Sequence, residues 1–524
     1  MWSAPENSTP KNTDSSNANA NISRIYVDPD IKSKIKLDDI YLVDNGSSYA
    51  SNADMAGLAY PVICINNHTI KSEEINSLEI ICDGLIPRIF LDITTTGNGL
   101  LYKDPPKDGD IISVFIRTST DLIVPLRCDF IIKNNYSMEK FISLSPLNNK
   151  MILTGDLFIP GIYSEMTSYA KVGTSLDVLK SISKKLNIGF ATNEMDNLSD
   201  KQLWICPKDS MKDFITNITS HCWMNEQSFY KSWIDIYYNL NFINVNKILM
   251  SDDDAVDVTA GTSINDIYRT FSVDTSQDNA KSTIKVFTNA FKELRNSPFF
   301  ITEWSPFNQS SKITEKYGSR INTFEFFHNQ NIYNSDDEPV VSLMNTQMYD
   351  PKKVDSYMLL RGRTNYDVTK VGNDDMAREN IKTDDINTHS KWCGIQYVLS
   401  EDDTNSSDNK TWSGNVHKNY NRAEVHNLLN NKELDKMFIT IKVAGACLQV
   451  MRGEKMPVIL AYEPGLGMIE TNNSTNINKL YSGTYIVDSY KITFKHNNDG
   501  FTGFNTEFTL KRREWPAPVD VQKD

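Results

Sequence analysis

With 524 residues, 40% of them hydrophobic, the chain is too long for one ordinary core and predicts roughly three or four domains. A formal net charge of −13 with no Lys/Arg-rich run excludes tight wrapping of nucleic acid, although an acidic surface suits a channel through which DNA slides without sticking. No uncharged apolar stretch reaches the length of a membrane helix, so no stable membrane association is expected.

Residues 1–24, rich in Ser, Asn, Thr and Asp and without the apolar run of a signal peptide, read as a disordered arm. Residues 25–165 read as a first β domain. Ile89, Leu91 and Ile93 alternate with polar neighbours, as do Val124, Leu126, Cys128, Phe130 and Ile132. The turn Pro105-Pro106-Lys107-Asp108-Gly109-Asp110 feeds a strand over Ile111 to Ile116.

An α+β segment at 166–250 follows. Thr174-Ser175-Leu176-Asp177 is a helix start, with a hydroxyl over free amide donors and a carboxylate at the positive helix end. Leu176, Leu179, Ile182 and Leu186 then share one face, and Gly189 stands where a left-handed C-cap is expected. A second helix starts at Ser210 with the stripe Met211, Phe214, Ile215, Ile218 and Cys222. Beyond it the period changes, and Ile234, Ile236, Tyr238, Leu240 and Phe242 alternate as one face of a strand.

Residues 251–339 form a mixed α+β connecting region. Ser251-Asp252-Asp253-Asp254 with Asp257 lacks the glycine and distal glutamate of a calcium loop and reads as a solvated acidic turn. A short helix through Val286, Ala290, Phe291 and Leu294 and strands at Phe299–Ile301 and Thr323–Phe327 are expected.

A second β domain spans 340–515, with a possible strand at Met358–Arg363 and an exposed polar loop near 400–415. Val416 to Asn427 leads into a strand over Met437–Val443, and Arg452-Gly453 precedes another at Pro457–Leu460. The clearest strand is Gly483–Phe494, followed by a hairpin turn at Asn497-Asn498-Asp499-Gly500. Phe504, Phe508 and Leu510 share one face of the return strand, while Asn505, Glu507, Thr509 and Lys511 take the other. A small closed barrel is the economical result, with 516–524 left as a C-terminal tail.

Several of these runs carry a resemblance. Ser175-Leu176-Asp177-Val178-Leu179, Leu186 to Asn193, Phe229 to Trp233 and Asp235-Ile236-Tyr237-Tyr238-Asn239-Leu240-Asn241-Phe242 resemble the helix-helix-strand region of baseplate central hub proteins from contractile-tailed bacteriophages. This T-even-like family is related to the hub part of secretion-system spike proteins. The Gly109-Asp110 turn with its strand, and Val416 to Trp515, are similar to the family's first and second tube-forming domains. The residues alone also fit a plainer reading, a small α+β module whose Tyr and Asn side chains serve packing and turns.

The resemblance implies a mainly β, α+β chain, with two tube-forming antiparallel β-barrel domains and an inserted helix-helix-strand domain. It implies a homotrimer forming a pseudo-sixfold ring that joins the tail tube, or a tube-initiator protein, to a central spike protein and forms part of the DNA conduit. The tape-measure protein and baseplate wedge are further partners it implies, with viral DNA present only in transit. Such a protein assembles in the host cytoplasm and resides in the virion tail baseplate. The Asn/Ser-rich arm and the long polar loops depart from compact members of the family.

Residue patterns for catalysis are sparse. No carboxylate pair stands in a motif that marks it as glycosidase machinery. The seven histidines form no His-Glu-x-x-His and no zinc-finger pairing, and His389 and Cys393, four apart, lack a second pair. His417 and His426 read as satisfied polar side chains. There is no nucleophile elbow and no phosphate loop, and Gly465-Leu466-Gly467 is followed by Glu470 where a dinucleotide loop needs glycine. The seven cysteines are odd in number and never in a Cys-x-x-Cys pair, so they read as small core residues of a protein folded in a reducing cytoplasm. A structural protein with no cofactor, no metal and no catalytic residue is therefore expected. A tail-associated peptidoglycan hydrolase and a peripheral receptor-binding protein remain alternatives. Strand alternation makes Tyr485, Val487, Glu507 and Lys511 the candidates for subunit or tube contacts.

Overall fold

The computed structural model describes residues 26–33, 61–66, 68–96, 105–116, 126–139, 148–163, 168–195, 198–207, 209–225, 228–250, 287–289, 300–308, 322–327, 341–344, 388–393, 417, 419–435, 437–448, 450–460, 478, 481–496 and 502–511. The architecture is mainly β, dominated by one large sheet, antiparallel but for a single short parallel pair. The arm, the tail, Ser251–Asp254, Met358–Arg363, the 400–415 loop, Gly465–Gly467 and the 497–500 turn lie outside the described residues, and of the helix expected over 286–294 only 287–289 are described, where Phe287–Thr288 is a strand.

Ten strands of the large sheet fall into two groups of five. The first group is β1 (Ile75–Cys82), β2 (Arg88–Thr96), β3 (Ile111–Ile116), β4 (Leu126–Glu139) and β5 (Asn148–Leu157). The second is β6 (Ile301–Asn308), β7 (Met437–Ala444), β8 (Lys455–Ile459), β9 (Gly483–His496) and β10 (Thr502–Lys511). The spatial orders are β1-β2-β5-β4-β3 and β6-β7-β10-β9-β8, with every neighbour antiparallel. The two groups therefore share one topology.

They also share their irregularities. The register shifts between Ile75 and Ser77 in β1 and between Ile301 and Glu303 in β6, in both cases just after the first residue. A second shift falls between Ile132 and Asn134 in β4 and between Val487 and Ser489 in β9. Each is a β-bulge, which adds one residue and reverses the inside-outside phase of the strand beyond it. In β9 the residues that enter the main core are accordingly Tyr485 and Val487 before the bulge, then Tyr490, Ile492 and Phe494 after it.

The groups join edge to edge. β1 pairs with the second half of β9, from Tyr490 opposite Cys82 to Lys495 opposite Ser77, so the ladder crosses from one end of the chain to the other. A barrel closed within 340–515 was expected; the described strands instead form an open ladder continuous with the first half of the chain. Its edges are β6 and the short strand His68–Ile70, which extends the sheet through Val62–Ile65 beyond β3. Phe287–Thr288 adds a short parallel pair on β8. Alternating Ile, Leu, Val and Phe side chains from both groups fill one contiguous core.

The segment between the groups packs against their seam. Helices α1 (Ser175–Leu186), α2 (Met211–His221) and α3 (Val245–Met250) accompany a four-stranded sheet in the order Tyr26–Val27, Gly189–Thr192, Asn239–Asn244, Tyr230–Ile234. The expected starts are observed: Thr174 and Asp177 form a capping box, and the Ser210 side chain accepts from Asp213 N–H. Leu176, Leu179, Ile182, Met211, Phe214, Ile215 and Ile218 are buried as their spacing requires. Helix α4 (Tyr420–Leu434) lies against α2. Asn322–Phe327, Val341–Met344 and Thr388–Cys393 make a separate three-stranded sheet.

Two local expectations are corrected. The left-handed residue that ends α1 is Asn187, at φ 57° and ψ 32°, not Gly189. Gly189 opens a strand, and a Cβ there would lie 2.0 Å from Asn239 Oδ1, so any side chain at this position would displace the Asn239 amide. The alternating run Ile234 to Phe242 is not one strand either. It is a hairpin whose turn at 235–238 separates strands 230–234 and 239–244, with Tyr238 at φ 61°.

Candidate functional site

The four residues chosen by alternation do not share a face. Tyr485 and Val487 are 1% and 0% exposed, in the main core, and the Tyr485 hydroxyl donates to Tyr481 O at 2.6 Å. The bulge at Asp488 is the reason: alternation counted back from Phe494 assigns both residues the wrong side. Lys511 is buried as well, with only Glu507 on an open face, 3.9 Å from Lys491 Nζ. Tyr485, Val487 and Lys511 are thus inward residues of the single chain.

Lys511 belongs instead to an ion-paired junction centred on the bulge. Its Nζ lies 2.5 Å from Asp488 Oδ2 and 2.5 Å from Asp435 Oδ1 at the end of α4. The other Asp488 oxygen accepts from Lys231 Nζ, on the 230–234 strand, at 2.6 Å. Arg452 donates to the Asp488 carbonyl through Nε, to Gly84 O at 2.6 Å and to Asp83 O at 3.2 Å, and its guanidinium lies 4.9 Å from the Trp233 ring centre. Five parts of the chain meet here: the β1–β2 turn, the central segment, the end of α4, the turn at Arg452 before β8 and the β9–β10 hairpin. Phe229, Trp233, Ile243, Val245, Ile248, Leu434 and Ile486 form a separate apolar cluster at the same junction.

The electrostatics fit a permanent clasp. Burial alone would raise the Asp488 carboxyl, but Lys231, Lys511 and Arg452 together hold it well below the usual carboxylate range. Burial lowers Lys231 despite Asp488 beside it. Lys511 is raised, because Asp488 and Asp435 outweigh its own desolvation.

The run Asp235 to Phe242 sits beneath the seam. The buried Asp235 carboxylate accepts from Tyr237 N–H and Asn239 N–H, both at 2.9 Å, and from the Asn241 amide at 3.0 Å, which locks the turn. Burial raises its pKa despite these donors. Tyr237 then donates to Leu448 O at 2.6 Å, next to the second strand group, while the Tyr238 hydroxyl accepts from Asp129 N–H on β4 at 3.0 Å. Ile234 N–H reaches Leu85 O at 2.7 Å in the β1–β2 turn. One tight turn thus touches both strand groups. Its Tyr and Asn residues do serve turns and packing, but they do so at the joint between the two halves of the sheet.

Further buried polar groups tie the helices down. Asn427 of α4 donates to Ser220 O at 2.9 Å and Cys222 O at 3.2 Å, answering free carbonyls at the end of α2, and accepts from Tyr230 N–H. His426 Nε2 donates to Ser228 O at 3.2 Å, as a carbonyl can only accept. His417 Nε2 likewise donates to His221 O at 2.9 Å, while its buried Nδ1 meets no hydrogen-bond partner among the described residues. Burial lowers His417 to about 4. Among the described residues, no group of three or more His, Cys, Asp or Glu side chains is placed to hold a metal ion, and no helix is long and apolar enough to cross a membrane. Five described cysteines are buried thiols and Cys64 is half-buried.

No family model and no curated protein matches this sequence. Among solved structures, the tail protein from Neisseria meningitidis MC58 is similar at 11% identity and a TM-score of 0.43, over 87% of this chain and 98% of that one. The 43 kDa tail protein of prophage MuSo2 from Shewanella oneidensis is similar at 9% identity and a TM-score of 0.42, over 86% and 98%. The half-lidded Francisella PdpA-VgrG complex contains a chain similar at 11% identity and a TM-score of 0.40, over 90% of this chain but 61% of that one.

Proposed function

We propose that this chain is the central hub subunit of a contractile-tail baseplate, a structural protein that acts as a homotrimer. The observation that carries the reading is the doubled strand unit: two five-strand groups of one topology, with matching bulges, stand side by side in one sheet. They follow one another in the same direction along the sheet, as neighbours in a ring do, and are not related as the halves of a face-to-face dimer. Three such chains bring six like units into one ring. The ring presents six similar positions to a tail tube or tube initiator and three chains to a central spike, which resolves a mismatch between sixfold and threefold partners.

In this role the protein works mechanically. It anchors the spike until contraction and then forms part of the DNA conduit, where an acidic chain does not adhere to the passing phosphates. The buried joint supports the reading, since a ring segment must hold its two units at a fixed angle, and the Asp235–Tyr238 turn and the Asp488 junction brace that angle. The tape-measure protein and baseplate wedge are further proposed contacts.

Light scattering of the purified protein, with averaged electron images, tests the proposal. A three-chain mass and a ring with an open centre and six similar lobes is the expected result. A monodisperse monomer that stays monomeric with spike or tube proteins present overturns it, and wall lysis or binding to host cells then decides between hydrolase and receptor binder.

A further inference from the structure

The internal seam shows how one strand unit receives the next. In the second unit, β8 pairs with β9 only over Gly483–Ile486, which leaves the far half of β9 free to take β1 from Tyr490 to Lys495. The first unit repeats this arrangement without the last step. β3 pairs with β4 over Leu126–Ile131, the 109–110 turn bonds Ile132, and among the described residues no strand pairs with the outer edge of β4 from Lys133 to Glu139, where the Asn135 side chain donates to Pro106 O at 2.6 Å. At the other end of the sheet β6, the counterpart of β1, pairs with β7 and has no second partner among the described residues.

We infer that the open half of β4 takes β6 of a second copy of this chain, in the register that β9 and β1 already show. The bulges fix that register. Asn134 corresponds to Ser489, so Asn135 stands for Tyr490; Glu303 corresponds to Ser77, so Asn308 stands for Cys82. The new antiparallel ladder then runs Asn135–Asn308, Tyr136–Phe307, Ser137–Pro306, Met138–Ser305 and Glu139–Trp304. β6 and β1 are both eight residues long, and β4 and β9 both fourteen, so the lengths match as well.

Chemistry at the β6 edge favours a partner strand over open water. Phe307 is 39% exposed and stacks on Phe438 at 4.4 Å, leaving aromatic surface beside the position that Tyr136 would take. Unpaired edge strands recruit other strands. Pro306 removes at most one ladder bond and discourages indiscriminate edge pairing. Because donor and acceptor edges differ, the contact runs head to tail, and it closes into a ring only if the rotation between copies allows it. The inference rests on the hub reading for the number of copies and not for the pairing itself.

Cysteine cross-linking tests the pairing. Opposed residues in an antiparallel ladder have Cα atoms about 4.5–5.5 Å apart, within disulfide reach, whereas a slip of two residues adds about 7 Å along the strand. Chains carrying Met138→Cys with Ser305→Cys are expected to give two-chain and three-chain bands on mild oxidation. Met138→Cys with Phe307→Cys, on the same faces but two residues out of register, and the unsubstituted chain should not. Equal cross-linking of both pairs overturns the register. Trimers by light scattering with no cross-link overturn the strand pairing and leave the hub reading standing, while a chain that stays monomeric with spike or tube proteins present overturns both. Hydrogen exchange on the unmodified chain decides the matter if the variants misfold. Amides over 134–139 and 303–307 should exchange at least about tenfold more slowly in the assembled protein than in dilute monomer, and no difference overturns the pairing.

Discussion

Asp488→Asn tests the central joint most directly, because it keeps the side-chain shape and removes the one negative charge that Lys231 and Lys511 share. Lys231 sits 2.6 Å from this carboxylate and Lys511 2.5 Å, both largely out of water, and only Lys511 has a second carboxylate, Asp435. Breaking a buried pair leaves an uncompensated charge and typically costs about 3–5 kcal/mol; the retained amide oxygen and the partial exposure of Lys231 place this site at the lower end, about 3 kcal/mol. For a cooperative unit of about 150–250 residues that is a fall in melting temperature of roughly 6–12 °C, read by circular dichroism. Lys231→Met in the same chain should recover part of the loss, because the stranded cation is then gone. The pH dependence has a definite sign. The folded carboxyl is held below its unfolded value, so its contribution is complete above about pH 4 and is lost as pH falls further toward the folded value. The variant should therefore show a shallower acid limb than the parent. A loss under about 0.5 kcal/mol at neutral pH, or a double variant whose loss equals the sum of the single losses, refutes the idea of a clasp.

Other sites give sharper local tests. In Gly155→Ala the new Cβ meets the Ile131 carbonyl oxygen at 2.3 Å, opposite the β4 bulge, so a loss of about 1–3 kcal/mol in thermal unfolding is expected. Asp235→Ala leaves the Tyr237 and Asn239 amides unanswered, at about 1–3 kcal/mol each, whereas Asp235→Asn keeps an acceptor and should be much milder; equal melting temperatures for the two refute the turn-lock account. Since burial raises the folded pKa of Asp235, its own contribution is fullest at acid pH and declines as pH rises through the folded value, opposite in sign to Asp488. His417 is held at about 4 while the unfolded side chain titrates near 6.5, so stability should fall as pH drops from about 6.5 toward 4, by up to about 3 kcal/mol. His417→Gln should flatten the melting profile across that window, and an unchanged slope rules out the buried neutral imidazole.

The sequence made legible those features that local chemistry decides. Thr174 with Asp177 and Ser210 with Asp213 mark helix starts because a cap is satisfied within three residues, and the apolar faces behind them are set by the same spacing. Partners distant in the chain left no such trace. Alternation across Ile234 to Phe242 looked continuous, yet the Asp235 carboxylate captures the next amides and turns the chain back. The joint was hidden for the same reason, since Lys231, Arg452, Asp488 and Lys511 come together only through long-range pairing. One signal did point to it: in Tyr485-Ile486-Val487-Asp488-Ser489-Tyr490 a carboxylate interrupts an apolar run, and reading that break as a bulge would have turned Tyr485 and Val487 inward.

The doubled unit left still less trace, and the reason bears on what the protein does. Gly155 and Leu510 stand at matching places in β5 and β10, and so do Cys82 and Asn308 at the ends of β1 and β6. A sheet with one buried face asks only for alternation and for bulges in the same places, so two copies can lose nearly all common residues and keep one topology. The differences collect where the copies have different neighbours. Cys82 is buried because β9 covers β1, and its neighbours in the seam, Leu78 and Ile80, are buried with it. Their counterparts on β6, Trp304 and Pro306, pair with β7 on one side and with no strand among the described residues on the other, and Pro306 is exposed. Apolar aliphatic residues sit at the seam the chain closes for itself, while an exposed aromatic and a proline sit at the edge it leaves open. That asymmetry is expected when one joint forms during folding and the other must wait, soluble, for a second subunit.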